Sequence, residues 1–217
     1  MALKALFYPD VKFDTLFIPY IYKEIYLDGV YLDIFNTRKD MVCLDIGANI
    51  GIVTQYMRDF SKKIYAVEPA KDHFEALTKN IEYNKWDNVV PIKAAIAPKD
   101  GEMTLLYDKY NRTTYAIDWP GIKRDRDDGK EKVRTICFET LLNENKIDKV
   151  DFCKFDVEGF EEPILMGDSF RRVVNRIDAI EVEFHFNDFP KIVEHMVRLG
   201  YKARRFECSS IIILFTK

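Results

Sequence analysis

The 217-residue sequence lacks several features that would each identify a class of protein. Its four cysteines include no CxxC or CxxH pair, so we expect buried thiols in a reducing compartment instead of a zinc site or a disulfide framework. No run reaches the roughly 18 apolar residues of a membrane span, and the residues after Met1 have none of the features of a secretion signal. We therefore expect a cytoplasmic protein that does not enter a membrane.

An excess of basic residues is also absent. Lys and Arg number 33 against 36 Asp and Glu, which gives a net charge of -3. Because a nucleic-acid-binding surface needs a positive field, nucleic acid is not favoured as a partner. The run at 123–130 is rich in charge, but its bases and acids are mixed, and we interpret it as a solvated loop.

Two patterns that cradle phosphate groups are missing as well. The turn at 45–51 reads D-I-G-A-N-I-G, and it places Asn49 and Ile52 where a dinucleotide-binding turn, G-x-G-x-x-G, has its second and third glycines. The P-loop pattern GxxxxGK[ST] does not occur. The sequence therefore indicates a glycine turn that is not built for phosphates.

The sequence does contain the two ends of an adenosine-binding crevice. A predicted strand at 42–46 runs into the glycine turn, and a second strand at 64–67 ends on Glu68 and Pro69. The turn lets a ligand approach the backbone, and a carboxylate at the end of the second strand can accept hydrogen bonds from both ribose hydroxyls. Further carboxylates occur at predicted strand ends, namely Asp45, Asp156, Glu158 and Glu183. Such a rim repels a pyrophosphate and complements an ammonium and a sulfonium, which predicts S-adenosyl-L-methionine as the cofactor.

Strand-like and helix-like segments alternate along most of the chain, which predicts an α/β fold with a parallel sheet between two helical layers. We predict strands at 42–46, 64–67, 89–94, 151–155 and 179–184, and helices at 50–59, 71–84, 161–166 and 189–199. An antiparallel hairpin, 201–207 with 211–216, is expected at the sheet edge. Residues 1–40 are interpreted as an aromatic-rich cap packed on the core. Residues 41–217 form the main domain, with an insertion at about 99–145 that contains a hairpin around 103–107.

Three segments together resemble the FkbM family of S-adenosylmethionine-dependent methyltransferases. They are D-x-G-A-N-x-G within 42–51, E-P at the end of the second strand, and K-F-D-V-E-G within 154–161, in that order and spacing. The resemblance implies a Rossmann-like class I methyltransferase, with a seven-stranded, mostly parallel sheet, an antiparallel last strand and helices on both faces. It also implies methyl transfer to a hydroxyl oxygen.

The resemblance further implies which residues hold the cofactor. Those around the methionine part are expected to be Asp45, Gly47, Ala48, Asn49 and Gly51. Glu68, followed by Pro69, is expected to hold the ribose, and Ala95 to border the adenine. Asp156 is expected to lie beside both the cofactor and the methyl acceptor.

The proton of the acceptor hydroxyl needs a destination, and the fifth predicted strand offers candidates. Glu181, Glu183 and His185 share one face because side chains alternate along a strand. We expect His185 to be the general base, oriented by Glu183 or Asp156. The alternative is structural: Glu181 pairs with a core base and His185 satisfies a backbone carbonyl. Asp156, Glu158, Glu183 and His185 also offer ligands for Mg²⁺ or Mn²⁺, but our expectation is that no metal binds.

The acceptor itself is the least defined part of the prediction. Glu24, Tyr26 and Tyr31 in the cap, and residues 110–115 in the insertion, are candidates for its contacts, and they suit a polyhydroxylated molecule. We therefore predict an O-methyltransferase acting on a sugar, a glycan or a small natural product. A non-catalytic S-adenosylmethionine-binding module, or a methyltransferase acting on RNA or protein, remains as an alternative. His73, in the first turn of the second helix, is expected to be exposed.

Overall fold

The computed structural model describes residues 38–107, 115–118, 129–185, 189–206 and 210–217. The predicted cap therefore lies outside the described residues except for 38–40, as do the acceptor candidates Glu24, Tyr26 and Tyr31 and residues 110–114. The division of the chain into a cap and a main domain stays a prediction.

The helices and strands follow one another along the chain in a largely alternating order. The strands are β1 (Met41–Ile46), β2 (Ser61–Val67), β3 (Val89–Ile92), β4 (Ala95–Ile96), β5 (Gly101–Tyr107), β6 (Tyr115–Ile117), β7 (Gly129–Ile136), β8 (Phe152–Phe155), β9 (Ala179–Phe184), β10 (Lys202–Arg205) and β11 (Ile211–Thr216). The helices are α1 (Ile52–Arg58), α2 (Lys71–Asn84), α3 (Phe138–Glu144), α4 (Glu161–Leu165), α5 (Asp168–Val173) and α6 (Phe189–Arg198), with a 3₁₀ turn at Val174–Arg176.

The main sheet has seven strands in the order β10-β11-β9-β8-β1-β2-β3. The pairs from β9 to β3 are parallel, whereas β11 is antiparallel to both of its neighbours. This confirms the predicted sheet with its antiparallel last strand. The predicted antiparallel hairpin at the sheet edge is confirmed, and within it β11 lies between β9 and β10. The crossover through α6 places β10 one strand position away from β9, and the last strand fills the gap.

Helices cover both faces of the main sheet, as predicted. Successive strand residues point to opposite faces, so Cys43 and Phe152 belong to one apolar cluster while Leu44 and Cys153 belong to the other. The first cluster contains residues of α1 and α2, and the second contains residues of α3, α4, α5 and α6. Strands buried on both faces read as nearly continuous apolar runs, which is why they were recognisable in the sequence.

The insertion is more regular than predicted. Four strands form a second sheet in the order β4-β7-β5-β6. Residues 123–128 of the expected solvated loop lie outside the described residues. The expectation of a loop is wrong for Gly129 and Lys130, because they belong to β7. In this strand Val133 is buried between the exposed Lys132 and Arg134, and Thr135 and Ile136 are buried at its end. The predicted third strand at 89–94 ends early because the chain leaves the main sheet and pairs Ala95 and Ile96 with β7.

No helix within the described ranges combines the length and the apolar composition needed to cross a lipid bilayer.

Candidate active site

The glycine turn between β1 and α1 is shaped by contacts within the protein. Gly47 and Gly51 have φ values of +77° and +95°, and Asn49 has φ +51°. A Cβ on Gly47 would lie 2.0 Å from the carbonyl oxygen of Asp156, and one on Gly51 would lie 2.8 Å from Cδ1 of Leu77. Only glycine fits at these positions, because the turn touches the chain after β8 on one side and α2 on the other.

Glu68 joins the glycine turn to the segment that follows β2. Its Oε2 accepts a hydrogen bond from the N–H of Asn49 and its Oε1 accepts one from the N–H of Ala70, each at 2.8 Å. Burial raises the pKa of Glu68, although His73 and these two N–H groups act in the opposite direction. Each carboxylate oxygen can accept a second hydrogen bond, so Glu68 can brace the turn and bind a ligand at once.

An open crevice lies at the carboxyl ends of β1, β2 and β8. Its empty volume, which includes the space open to solvent at its mouth, is about 610 Å³. The chain turns from β1 toward β2 on one side and returns to β8 on the other, so the crevice lies at the point where ligands bind in open α/β sheets.

One end of the crevice is largely apolar. It is lined by Ala94, Ala95 and Ile96 from the main-chain bend after β3, and by Leu105, Tyr115 and Ile117 from the second sheet. Tyr115 is fixed there, since its hydroxyl donates to the carboxylate of Asp72 at 2.7 Å and its ring meets His73 with 4.7 Å between centroids. The apolar lining of this end suits a flat heterocycle.

The other end is acidic and contains one buried ammonium group. Lys154 is 6% exposed, and its Nζ donates to Asp156 Oδ2 at 2.9 Å and to the carbonyl oxygen of Gly47 at 3.2 Å. Burial alone would raise the pKa of Asp156, but Lys154 and His185 outweigh it and hold that pKa below its usual value. Asp156 is therefore a carboxylate at neutral pH, which suits a cationic ligand.

His185 lies beside this carboxylate at the end of β9. Its Nδ1 is 2.9 Å from Oε1 of the buried Glu161, and its Nε2 is 3.7 Å from Asp156 Oδ1 and 3.6 Å from Glu158 Oε2. Burial alone would lower the pKa of His185, but the hydrogen bond to Glu161 and the nearby carboxylates raise it to about 9. Nε2 can thus accept a proton only when the imidazole is neutral, with Nδ1–H donating to Glu161.

The structure brings together most of the residues expected to hold the cofactor. Those that line the crevice are Gly47, Asn49, Glu68, Pro69, Ala95 and Asp156. The others lie behind it. Asp45 is fully buried and accepts a 2.5 Å hydrogen bond from Thr54, and burial raises its pKa. Ala48 packs in the apolar cluster that contains α1, and Gly51 faces Leu77 of α2. Glu183 lies behind the acidic end, where burial and Asp156 raise its pKa.

Sequence reasoning missed several residues of the site. His73 was expected to be exposed, but it lines the crevice because it packs against Tyr115 and approaches Glu68. Tyr115 was expected at the acceptor and instead borders the apolar end. Lys154 and Glu161 were part of the recognised motif without an assigned role, since only the folded chain places them beside Asp156 and His185.

Known proteins resemble this chain in sequence and in fold. The methyltransferase FkbM domain matches residues 45–203. A hexuronic acid methyltransferase, AglP, of Haloferax volcanii is 24% identical over 170 residues, which are 78% of this chain and 66% of that protein. Methyltransferase 1 of Beauveria bassiana is 28% identical over 167 residues, 69% of this chain and 67% of that protein.

The chain therefore spans about two thirds of the length of these relatives. A solved structure, methyltransferase FkbM from Methylobacillus flagellatus, superposes with a TM-score of 0.54 at 13% identity, over 82% of this chain and 44% of that one. This likeness supports the fold. Because the matched domain covers most of the sequence and contains the crevice, the chain belongs to the FkbM methyltransferase family.

Proposed function

We propose that this protein is an S-adenosylmethionine-dependent O-methyltransferase that methylates a hydroxyl group of a sugar, a glycan or a small natural product. The observation that carries the proposal is that one crevice is lined by three kinds of group: apolar side chains around Ala95, the buried carboxylate of Glu68, and Asp156. These are the groups that adenine, the ribose and the charged methionine part would need.

Each part of the cofactor can be matched to one of these groups. Adenine would lie between Ala95 and the side chains of Leu105 and Ile117, with the ribose hydroxyls on the free lone pairs of Glu68. The turn at Gly47 and Asn49 would face the methionine part. The sulfonium and ammonium groups then lie toward Asp156, whose negative charge offsets theirs. Each charge-assisted hydrogen bond of this kind contributes roughly 1.5–3 kcal/mol.

The acceptor would approach from the acidic end. Methyl transfer forms a bond between the acceptor oxygen and the methyl carbon while the carbon–sulfur bond breaks, so S-adenosylhomocysteine leaves and the hydroxyl proton must depart. In-line placement of the two reacting atoms provides most of the acceleration. Asp156, Glu158 and His185 are the polar groups able to place the hydroxyl. We keep His185 as the proposed proton acceptor, in its neutral form with Nδ1–H donated to Glu161. Glu183 acts on His185 only through its charge.

The acceptor class is supported by the hexuronic acid named for the Haloferax relative. It is also supported by the site, because Asp156 and Glu158 line the crevice and His185 Nε2 lies 3.7 and 3.6 Å from their carboxylate oxygens. Several hydrogen-bonding groups close together match a molecule with several hydroxyls. No lysine or arginine is among the described residues that line the crevice, and Lys154 donates to Asp156 and to the carbonyl oxygen of Gly47. These observations give no support to RNA as the acceptor.

The proposal is tested by incubating the protein with S-adenosylmethionine labelled in its methyl group. Hexuronic acids, neutral hexoses and their nucleotide-linked forms are offered as acceptors, beside RNA and a protein mixture. Mass spectrometry should find the label as a methyl ether on a hydroxylated small molecule. Label in RNA or protein, or binding of S-adenosylhomocysteine with no transfer to any acceptor, would replace this proposal with one of the two alternatives.

A further inference from the structure

We propose that Asp156, Glu158 and His185 form a binding site for one divalent cation, Mg²⁺ or Mn²⁺, and that this cation holds the acceptor hydroxyl. This reverses our expectation from the sequence that no metal binds. The second clause rests on the proposed function, whereas the cation site stands on the geometry alone.

The first observation is the spacing of three ligand atoms. One ligand atom from each residue lies within 4.8 Å of the other two. His185 Nε2 is 3.7 Å from Asp156 Oδ1 and 3.6 Å from Glu158 Oε2. These separations are too long for direct hydrogen bonds. They are near the roughly 3–4 Å between two atoms that bind the same ion at about 2.0–2.2 Å.

The second observation is an unsatisfied acceptor. Asp156 Oδ2 receives the ammonium group of Lys154, but Oδ1 is shielded from solvent and has no hydrogen-bond partner among the described residues. A buried acceptor left without a partner costs roughly 1–3 kcal/mol. A cation between Asp156, Glu158 and His185 would supply the missing partner.

The third observation is the orientation of the imidazole. Glu161, whose side chain is 4% exposed, places Oε1 2.9 Å from His185 Nδ1, and the same oxygen accepts the N–H of Gly159 at 2.9 Å. A carboxylate on the far nitrogen fixes the ring and its tautomer, as it does for histidines that ligate metals. Nε2 then faces Asp156 Oδ1 and Glu158 Oε2, and a cation bound between them would take the place of its proton.

Charge and donor type favour a hard divalent cation. Four carboxylates, those of Asp156, Glu158, Glu161 and Glu183, act on His185 or on Asp156, and Lys154 is the ammonium that opposes them. Two carboxylate oxygens with one imidazole are ligands that suit Mg²⁺ and Mn²⁺. Three protein ligands leave up to three positions of an octahedral ion for water and for adjacent oxygens of the acceptor.

The role of the cation follows from its position at the acceptor end of the crevice. A hydroxyl bound to a divalent cation is more acidic. Because His185 Nε2 would then be a ligand and no longer the proton acceptor, the hydroxyl would release its proton to solvent as the oxygen–carbon bond forms. The carbon–sulfur bond breaks in the same step and S-adenosylhomocysteine leaves. No electrons are exchanged with the cation. Bidentate binding of two neighbouring oxygens would select sugars and other polyols over single alcohols.

The test measures Mn²⁺ binding to the full chain by electron paramagnetic resonance, without cofactor or acceptor. The expected result is one site per chain. Binding should weaken at least tenfold in Glu158→Gln. The same change at Glu162, a half-buried acid that pairs with Lys191, should leave it unchanged. Nitrogen coupling from an imidazole ligand should appear in the pulsed spectrum and should disappear in His185→Gln. Circular dichroism confirms that each variant is folded.

Three results would overturn the cation site. They are no saturable binding of Mn²⁺ by the unsubstituted chain, equal weakening of Mn²⁺ binding in Glu158→Gln and Glu162→Gln, or no nitrogen coupling in the unsubstituted chain. These results are independent of methyl transfer. If Mn²⁺ binds as expected and no acceptor is methylated, the cation site stands and the proposed function fails. If methyl transfer proceeds unchanged in EDTA and Mn²⁺ does not bind, the proposed function stands and the cation site fails.

Discussion

Replacing Gly47 by alanine should damage both the fold and the crevice, because the backbone there leaves no room for a Cβ. The added atom would lie 2.0 Å from the carbonyl oxygen of Asp156, whereas an ordinary contact begins near 3.4 Å. The chain segments after β1 and β8 would have to separate by about 1.4 Å. Both segments line the crevice, so the change should weaken cofactor binding as well as lower the free energy of unfolding.

Three terms set the loss of stability in Gly47→Ala. The left-handed backbone at φ +77° costs an alanine roughly 1–2 kcal/mol, partly offset by about 0.4–1 kcal/mol because alanine restricts the unfolded chain. The forced separation resembles overpacking, which costs typically about 1–3 kcal/mol. We therefore expect Gly47→Ala to lower the free energy of unfolding by about 1–4 kcal/mol.

Gly200→Ala is the matched control. Gly200 also has a left-handed backbone, with φ +93°, but a Cβ there would meet nothing within 4 Å. Urea unfolding should show a larger loss of stability for Gly47→Ala than for Gly200→Ala, by roughly the 1–3 kcal/mol of the clash. Calorimetry should show weaker binding of S-adenosylhomocysteine for Gly47→Ala alone. Equal losses of stability with equal affinities would refute the argument that this close approach shapes the crevice.

Three further substitutions test other parts of the account. Glu68→Ala should weaken binding of S-adenosylhomocysteine by about tenfold to a hundredfold, since it removes charge-assisted hydrogen bonds worth roughly 1.5–3 kcal/mol; calorimetry measures this. Thr54→Val should lower stability in urea by about 1–3 kcal/mol, because the buried Asp45 loses its hydroxyl donor. Burial alone would raise the pKa of Asp100, but hydrogen bonds from Thr140 and Cys137 lower it. The stability from ionised Asp100 is thus present above its unfolded pKa of about 3.9 and lost as the pH falls through the folded pKa. Asp100→Asn should cost about 1 kcal/mol at pH 7, more than the exposed control Asp87→Asn, and the difference should shrink below about pH 4.

The main sheet was predictable because its strands are buried on both faces. Strands such as β1 and β8 are short, continuous apolar runs, and each ends in the polar residues of the crevice. The same change from apolar to polar residues identified Glu68 and Asp156 as site residues, since a carboxylate directly after a buried strand indicates a functional position. The position of β11 between β9 and β10 was not readable, because strand order is set by the crossover and not by the strand itself.

The second sheet was harder to predict because its two longer strands, β5 and β7, are partly exposed. In β7 the apolar residues stand among lysine, arginine and glutamate, and β5 has only a short apolar run after four exposed or half-buried residues. Both are weaker signals than a long continuous run. This sheet supplies Leu105, Tyr115 and Ile117 to the apolar end of the crevice. Lys154 and Glu161 were equally unpredictable as site residues, because their partners come from other elements: Gly47 for Lys154, and His185 for Glu161.

The central claim is that the crevice at Gly47, Glu68 and Asp156 holds an adenosyl-amino acid and not a dinucleotide. Titration calorimetry of the purified chain with S-adenosylmethionine, S-adenosylhomocysteine, NAD and NADP tests it most directly. The account predicts one-site binding of S-adenosylmethionine and S-adenosylhomocysteine that Glu68→Ala weakens, with much weaker binding of NAD and NADP. Binding of NAD in preference to S-adenosylhomocysteine, or affinity unaffected by Glu68→Ala, would contradict it.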